Sequence, residues 1–583
     1  MRPFSLILKS APSSQATSPA IAQAHGVSIG RSGDAGSTAV ILGGSGLENA
    51  ATDIANRFSA AGRQPPAGVP DGGGTGVVLI DHVQRKAFAV APPIGLQQLY
   101  WAASADDVRF ASDPQRLGFM PERSPTIPPE AVFQYVYFHM IPGPLTAWVG
   151  ISKLEGGHSL CWESGATSVT RYWRPTFAER MTGTSADATA ELHRLLRLAV
   201  ERSLGDSAAA GAFLSGGLDS STVAGFASQL RPGIRTVTMG FDAAGYDEIE
   251  YARIASRHFG TRPIEYYVTP DDVLTALPTI AAAFAEPFGN SSAAAVYQCA
   301  RVAREHGLDL LLAGDGGDEL FGGNERYAEQ LVFERYQSMP SLLRRGLLEP
   351  AVDAAARFTR RFPIGKAQSY IRNAYTPLPD RLQRYNFLHR QNPAAIFTPA
   401  LLAQVDASAP MQLLREEYGA PVTQSPVNRM MFLDWKFTLR DNDLVKVNAM
   451  AQLAGLRVSY PMLDDAVLDF SLRIPGDWKV RRGQLRWFYK RAMRNFLPKA
   501  IIDKTKHGFG LPFGVWTRTH AGLSKLAGDS LATLGERGFF RQDFLAQALR
   551  LHREGHASYY GELVWILVVF ELWLRARMPN ARI

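Results

Sequence analysis

Two glycine-rich segments carry the residue types that could do chemistry. The first reads Phe213-Leu214-Ser215-Gly216-Gly217-Leu218-Asp219-Ser220-Ser221. An apolar strand runs into Ser-Gly-Gly, and a helix is expected to start near Asp219. Glycines let the backbone bend tightly and approach a ligand. The helix N-terminus offers N–H groups and a positive dipole end, both suited to phosphate. Ser215, Ser220 and Ser221 add hydroxyls. Asp219 would repel a phosphate unless Mg²⁺ lay between them, since that ion is held by a carboxylate plus phosphate oxygens. The Gly-x-x-x-x-Gly-Lys-Ser/Thr pattern of a Walker loop is missing. The plain alternative is a glycine turn capped by Asp and Ser.

The second segment is Leu311-Leu312-Ala313-Gly314-Asp315-Gly316-Gly317-Asp318-Glu319-Leu320-Phe321-Gly322-Gly323. Again an apolar strand ends in glycines, now with three acids. Ligands of parallel α/β sheets sit at the carboxyl ends of strands. Both segments are therefore expected to face one crevice, with Asp219 and Asp318 holding Mg²⁺ on the phosphates of ATP. The alternative, three acids that cap and solvate a helix, fits poorly with burial at a sheet edge.

Elements must position these loops. Strand and helix signals alternate from Ala210: Ala210–Leu214, Ser220–Gln229, Thr236–Phe241, Tyr246–Phe259, Glu265–Val268, Ala293–Glu305 and Leu308–Leu312. Such alternation predicts an α/β domain with a parallel sheet. A helix from Ala186 to Leu204 precedes it, and after Arg326 the chain reads mainly helical. Upstream, Gly76–Asp81, Lys86–Ala91, Leu99–Ala102 and Val108–Ser112 predict an antiparallel sheet domain. Residues 10–75, rich in Ala, Gly, Ser and Pro, read as loops and short strands, partly mobile. Residues 1–175 and 186–583 are the expected domains, joined by a small polar linker.

The bulk numbers exclude several classes. With 583 residues, 46% hydrophobic and 20% charged, the chain is long enough for more than one globular domain. The net charge of +8 is scattered without a long basic block, which predicts no nucleic-acid partner. Two cysteines, Cys161 and Cys299, make neither a disulfide framework nor a zinc cluster. Lys9 interrupts the short apolar N-terminal run, so no signal peptide is predicted. Val564 to Phe570 is too short to span a bilayer and reads as a buried helix. The expectation is a soluble, cytoplasmic protein with no membrane partner.

The two loops resemble the asparagine synthetase family of ATP pyrophosphatases, which carry Ser-Gly-Gly-x-Asp-Ser. Further blocks are similar: Val237–Phe241 with Tyr246-Asp247-Glu248, Glu286-Pro287-Phe288, Leu444–Val447 through Pro461 and Leu463-Asp464, Lys506 with Gly508–Pro512, and Trp565 with Leu572–Leu574. Weaker N-terminal likenesses are Ala111-Ser112-Asp113, Pro142-Gly143-Pro144, Gly156-Gly157-His158 and Tyr172-Trp173. The resemblance implies an α/β synthetase domain with an adenine nucleotide α-hydrolase-like parallel sheet and many helices. Before it would stand an α+β glutaminase-like domain, an Ntn-type sandwich. It also implies the chemistry: a carboxylate attacks the α-phosphate of ATP, and an amine displaces AMP from the acyl-AMP. By resemblance Leu214, Ser215, Gly216, Gly217, Asp219 and Ser220 hold pyrophosphate. The backbone near Leu214, Met239, Ala313 and Gly314 holds adenosine, and Asp219 and Asp318 bind Mg²⁺. Lys506 stabilises negative charge during acyl transfer, and Asp315 is the acid near the reacting amine.

Departures redirect the substrate. Glutamine-dependent members expose a cysteine after loss of Met1, where this chain has Arg2, and their Asn-Gly-Glu block has no counterpart. No glutaminase is therefore expected. Arg457 and Ser459 replace an acid and an arginine of the family's acyl-substrate run. Members without the cysteine use an amine on the substrate. The favoured reading is a lasso peptide cyclase, which closes a macrolactam between a precursor peptide's N-terminal amine and an Asp or Glu side chain. A leader-binding protein and a leader peptidase would be its partners. The segment Gln330–Asn428, with Tyr370, Arg372, Tyr375, Tyr385 and Arg390, would house the peptide. A β-lactam-type small-molecule synthetase and an ammonia-dependent asparagine synthetase are the alternatives.

Overall fold

The computed structural model describes residues 4–9, 20–25, 27–42, 47–62, 76–118, 126–243, 249–358, 364–504, 510–555 and 557–583. Short apolar runs divided by turns become β1 (Ser5–Lys9), β2 (Ala20–His25), β3 (Val27–Arg31), β4 (Ser37–Leu42), β5 (Val77–Asp81), β6 (Lys86–Val90), β7 (Tyr100–Ala103), β8 (Asp107–Ala111), β9 (Ser152–Lys153), β10 (His158–Glu163) and β11 (Ala166–Arg171). They form two antiparallel sheets, ordered β2-β1-β8-β7-β9 and β11-β10-β6-β5-β4-β3. Leu6, Leu8, Val40, Leu42, Val78, Ile80, Val108, Phe110 and Trp162 fill the space between them.

The outer face of the second sheet is covered by α1 (Glu48–Ala60), through Ala51, Ile54, Ala55 and Phe58. All six residues of β4 are buried, because one face meets the sandwich core and the other meets α1. This corrects the reading of residues 10–75 as loops and short strands. α1 is hard to see in the sequence because its apolar stripe is mostly alanine, with only Ile54 and Phe58 as large anchors.

After α2 (Pro129–Phe138), helix α3 (Ser185–Leu204) opens on a capping box between Thr184 and Asp187. Then follow β12 (Ala210–Phe213), α4 (Leu218–Leu230), β13 (Arg235–Phe241), α5 (Ile249–Phe259), β14 (Arg262–Val268), α6 (Pro270–Ala283), α7 (Ala293–Glu305), β15 (Leu310–Leu312), α8 (Gly317–Phe321) and β16 (Arg457–Ser459). The predicted elements recur within a few residues, and α6 is additional. The sheet is parallel throughout, in the order β14-β13-β12-β15-β16. The chain winds outward from β12 to β14 and then returns to the other side at β15. The carboxyl ends of β12 and β15 therefore flank the switch point, where such sheets bind ligands.

Val564 to Phe570 are all buried within the helix Ala557–Arg577. Among the described residues no helix is long and apolar enough to cross a membrane. Charge is less evenly spread than expected. Between Glu325 and Arg390 twelve Lys and Arg accompany six Asp and Glu, so this helical segment holds six of the chain's eight net positive charges.

The two parts meet along Trp435–Asp443, a π-helical stretch between the helices Pro426–Asp434 and Leu444–Leu453. Lys436 donates to the Gly143 carbonyl (2.9 Å) and pairs with Glu155. Arg440 donates to the Leu154 carbonyl (2.7 Å), and Gln98 donates to Asp441 (3.2 Å). Glu286, buried beside this seam, pairs with Lys153 (2.5 Å) and accepts hydrogen bonds from the Tyr100 hydroxyl (3.0 Å) and the Ala147 N–H (2.8 Å).

Candidate active site

The loop after β12 is fastened to the neighbouring strand. The Leu214 N–H donates to the Val237 carbonyl (3.0 Å), and the Thr238 hydroxyl donates to the Leu214 carbonyl (2.7 Å). Gly216 has φ +68°, and a Cβ there would lie 2.4 Å from the backbone nitrogen of Ala252. Only glycine meets both conditions. The Ser215 and Ser220 hydroxyls lie 3.0 Å apart, and the Ser215 N–H donates to Ser220 (3.2 Å). α4 opens on Gly217, which supplies no side-chain cap. An anion at this end would find the helix N–H groups without a competing side chain. Met239 lies buried on β13 beside the loop, and the Ala313 N–H is committed to the Ser459 carbonyl (2.9 Å). A Cβ on Gly314 would lie 2.6 Å from the Ser220 nitrogen, so the two loops touch.

The loops also bring Asp219 and Asp318 together. Arg486 links them: its Nη1 is 2.7 Å from Asp219 Oδ1, and its Nη2 pairs with Asp318 Oδ1. Two carboxylates bridged by one cation are the donor set that a phosphate-bound Mg²⁺ takes. Among the described residues no three His, Cys, Asp or Glu form a metal cage. Sequence reasoning missed Arg486. It lies 267 residues beyond Asp219, and its local signal is an ordinary Gln-Leu-Arg-Trp run.

Beside this pair, Asp315 sits in an acidic cluster. Burial, the like charge of Asp443 and that of Asp219 push its carboxyl up to about 6, while Lys446 opposes the shift. Lys446 is buried and pairs with Asp443 at 2.5 Å. Its ammonium is held above the usual lysine range by Asp443 and Asp315, which outweigh burial. Asp443 and Lys446 were also missed as site residues. A carboxyl titrating near 6 is an anion at neutral pH and can take a proton from an amine. If Asp315 acts so, kcat/KM should fall about tenfold per pH unit below about 6. Lys446→Met should move that limb to higher pH, because the opposing cation is gone. A pH–rate profile unchanged in both Asp315→Asn and Lys446→Met would remove Asp315 from proton transfer.

Other expectations fare differently. Lys506 and Tyr246-Asp247-Glu248 lie outside the described residues, and so does Arg2. Arg457 does not face the crevice. It is exposed at the opposite end of β16, paired with Asp309 at 2.9 Å, and Ser459 hydrogen-bonds Ser203 of α3 (2.9 Å). Ser459 stands at the loop end of β16, opposite Leu312, where its carbonyl accepts from the Ala313 N–H. In the helical segment Tyr370 stacks on Phe333 (4.3 Å between centroids) and Tyr375 donates to Glu349 (2.6 Å). Of the residues expected to house a peptide, Tyr385 lines a cavity. That cavity, of about 370 Å³, is walled by Tyr137, Phe138, Phe387, Phe437, Arg326 and Glu562 among others. Its wall residue Asp434 is followed by Trp435, whose indole N–H donates to the Glu319 carbonyl (2.8 Å), one residue from Asp318.

Neither thiol is placed as a nucleophile. Cys161 lies mid-strand in β10 against the cluster under α1, and Cys299 is buried in α7. Burial pushes both thiols up, which disfavours the reactive thiolate.

Comparison with known proteins fits this geometry. The family model described as asparagine synthase matches residues 191–575, about two thirds of the chain. The glutamine amidotransferase domain model matches residues 73–173. The chain is 25% identical over 496 residues to asparagine synthetase [glutamine-hydrolyzing] 1 of Bacillus subtilis, covering 85% of this chain and 75% of that one. It is 28% identical over 532 residues to a putative asparagine synthetase [glutamine-hydrolyzing] of Mycobacterium tuberculosis, with the same coverage. With a glutamine amidotransferase-like domain ahead of an α/β synthetase domain, the chain belongs to the asparagine synthase family.

Proposed function

We propose that this protein is an ATP-dependent amide-bond synthetase that closes a macrolactam in a ribosomal peptide, as lasso peptide cyclases do. The observation that carries the adenylation half is the meeting of two glycine loops at the switch point, with Asp219 and Asp318 on one cation. The Ser215–Ser220 loop cradles the departing pyrophosphate. Asp219 and Asp318 would hold Mg²⁺, and the ion would supply neutralisation of phosphate charge. Asp315 receives the proton of the attacking amine, and Lys506 steadies the negative charge of acyl transfer.

The amine comes from the substrate itself. Supporting this are two thiols with raised pKa far from any nucleophile's setting. An aromatic cavity of about 370 Å³, whose wall residue Asp434 precedes the Trp435 that hydrogen-bonds Glu319, offers a place for a short peptide segment. Tethering amine and carboxylate in one molecule supplies the entropic advantage that delivered ammonia would lack. A precursor peptide is then the substrate, with a leader-binding protein and a leader peptidase as cytoplasmic partners.

The test is mass spectrometry of precursor peptides encoded beside the gene, incubated with ATP, Mg²⁺, this protein and the processing partners. The expected product has lost one water, lacks a free N-terminus and forms with one AMP per ring. Release of ADP would overturn the adenylation step. Precursors that stay linear, while aspartate and ammonia give asparagine, would overturn the macrolactam reading.

A further inference from the structure

Arg486 is an unusual residue to find between two carboxylates expected to hold a metal. Its backbone is left-handed, with φ +52°, and its side chain is 7% exposed. A non-glycine residue in that region is strained and persists only where its surroundings hold it. They do so here. Its N–H donates to the Gly322 carbonyl (3.2 Å), its carbonyl accepts from the Lys490 N–H (2.8 Å), and it opens the helix Trp487–Met493. That helix is tied to the acidic loop by Tyr489, which stacks on Phe321 of α8 (4.8 Å between centroids). The strained turn thus delivers one guanidinium to Asp219 and Asp318 together.

Electrostatics says why a cation is needed there. Asp315 feels the like charges of Asp443 and Asp219, and Lys446 is engaged with Asp443 and Asp315. Without a counter-ion the metal-ligand pair would repel in a partly buried crevice. A divalent ion arriving with phosphates brings twice the charge to the same oxygens. The guanidinium it displaces is a planar fork whose donors match phosphate oxygens as well as carboxylates. We infer that Arg486 is a stand-in cation: it holds Asp219 and Asp318 in register while no metal is bound, then yields them to the metal and turns onto the pyrophosphate group. This rests on the reading that pyrophosphate leaves from the Ser215–Ser220 loop.

The test needs no acyl substrate. Full-length wild type, Arg486→Gln and Arg486→Lys are titrated with Mn²⁺ alone, followed by electron paramagnetic resonance, and with Mg²⁺–pyrophosphate by calorimetry. Loss of the competing cation should tighten Mn²⁺ about tenfold in Arg486→Gln, and Arg486→Lys should stay within about threefold of wild type. Mg²⁺–pyrophosphate should weaken about tenfold in Arg486→Gln. If Arg486 were only a structural staple, Arg486→Gln would melt earlier with both affinities unchanged, and the inference would fall. The same holds if either affinity alone is unchanged in a folded Arg486→Gln. Wild type that binds no Mg²⁺–pyrophosphate would instead overturn the adenylation site itself, and this inference with it.

Discussion

Asp318→Ala is expected to lower the rate of AMP release about a thousandfold, or about 4 kcal/mol of barrier. The loss should appear in single-turnover chemistry as much as in steady state, because the carboxylate neutralises phosphate charge that builds during transfer. Folding should be spared. Asp219 still pairs with Arg486 at 2.7 Å, so removing Asp318 leaves no buried cation without a partner. Thermal melting within about 2 °C of wild type, together with the lost rate, is the expected pair of results. A variant that keeps its rate would show that Asp318 holds no metal needed for the reaction.

Gly317→Ala is the second large effect, and a subtler one. Its backbone is helical, so alanine costs nothing in conformation and even favours the helix. The added methyl, however, would lie 2.1 Å from Asp219 Oδ1 and 2.2 Å from its Cγ. The tip of a side chain yields before the backbone does, so the Asp219 carboxylate moves off its position. The rate should fall about a hundredfold while stability changes by less than about 1 kcal/mol, since misplacing a reacting or positioning group by about 1 Å costs that much. Normal Mn²⁺ binding by Gly317→Ala would show that Asp219 stays in place and would sink the argument.

What the sequence discloses here is what is local. Ser215–Ser220 and Gly314–Asp318 are each a strand, a glycine turn and a helix start within about ten residues, and the parallel sheet follows from their alternation with helices. Arg486 is invisible because nothing near it announces a site; only the packing of Trp487–Met493 onto α8 brings it there. Arg457 could not be placed from the sequence, because which end of the sheet a strand residue occupies depends on register. β16 runs beside β15 with Leu310 opposite Arg457, which puts that arginine at the far end from the loops. The α1 helix failed for a third reason, a stripe of alanines whose burial is set by the sheet beneath it.

The seam between the two parts limits how this chain can be trimmed. An engineer seeking a minimal catalyst would consider deleting the first 175 residues and keeping the asparagine synthase match at 191–575. That deletion removes Lys153 from Glu286 and Glu155 from Lys436, and strips Arg440 of the Leu154 carbonyl. Each stranded partner comes from a side chain under a tenth exposed in the intact protein. Breaking one such buried pair costs about 3–5 kcal/mol, and the deletion breaks two. They lie on or against the π-helical stretch that ends at Asp443, so the acid beside Asp315 would lose its footing too. The first 175 residues therefore cannot simply be cut away; whatever replaced them would have to offer the same partners along this seam.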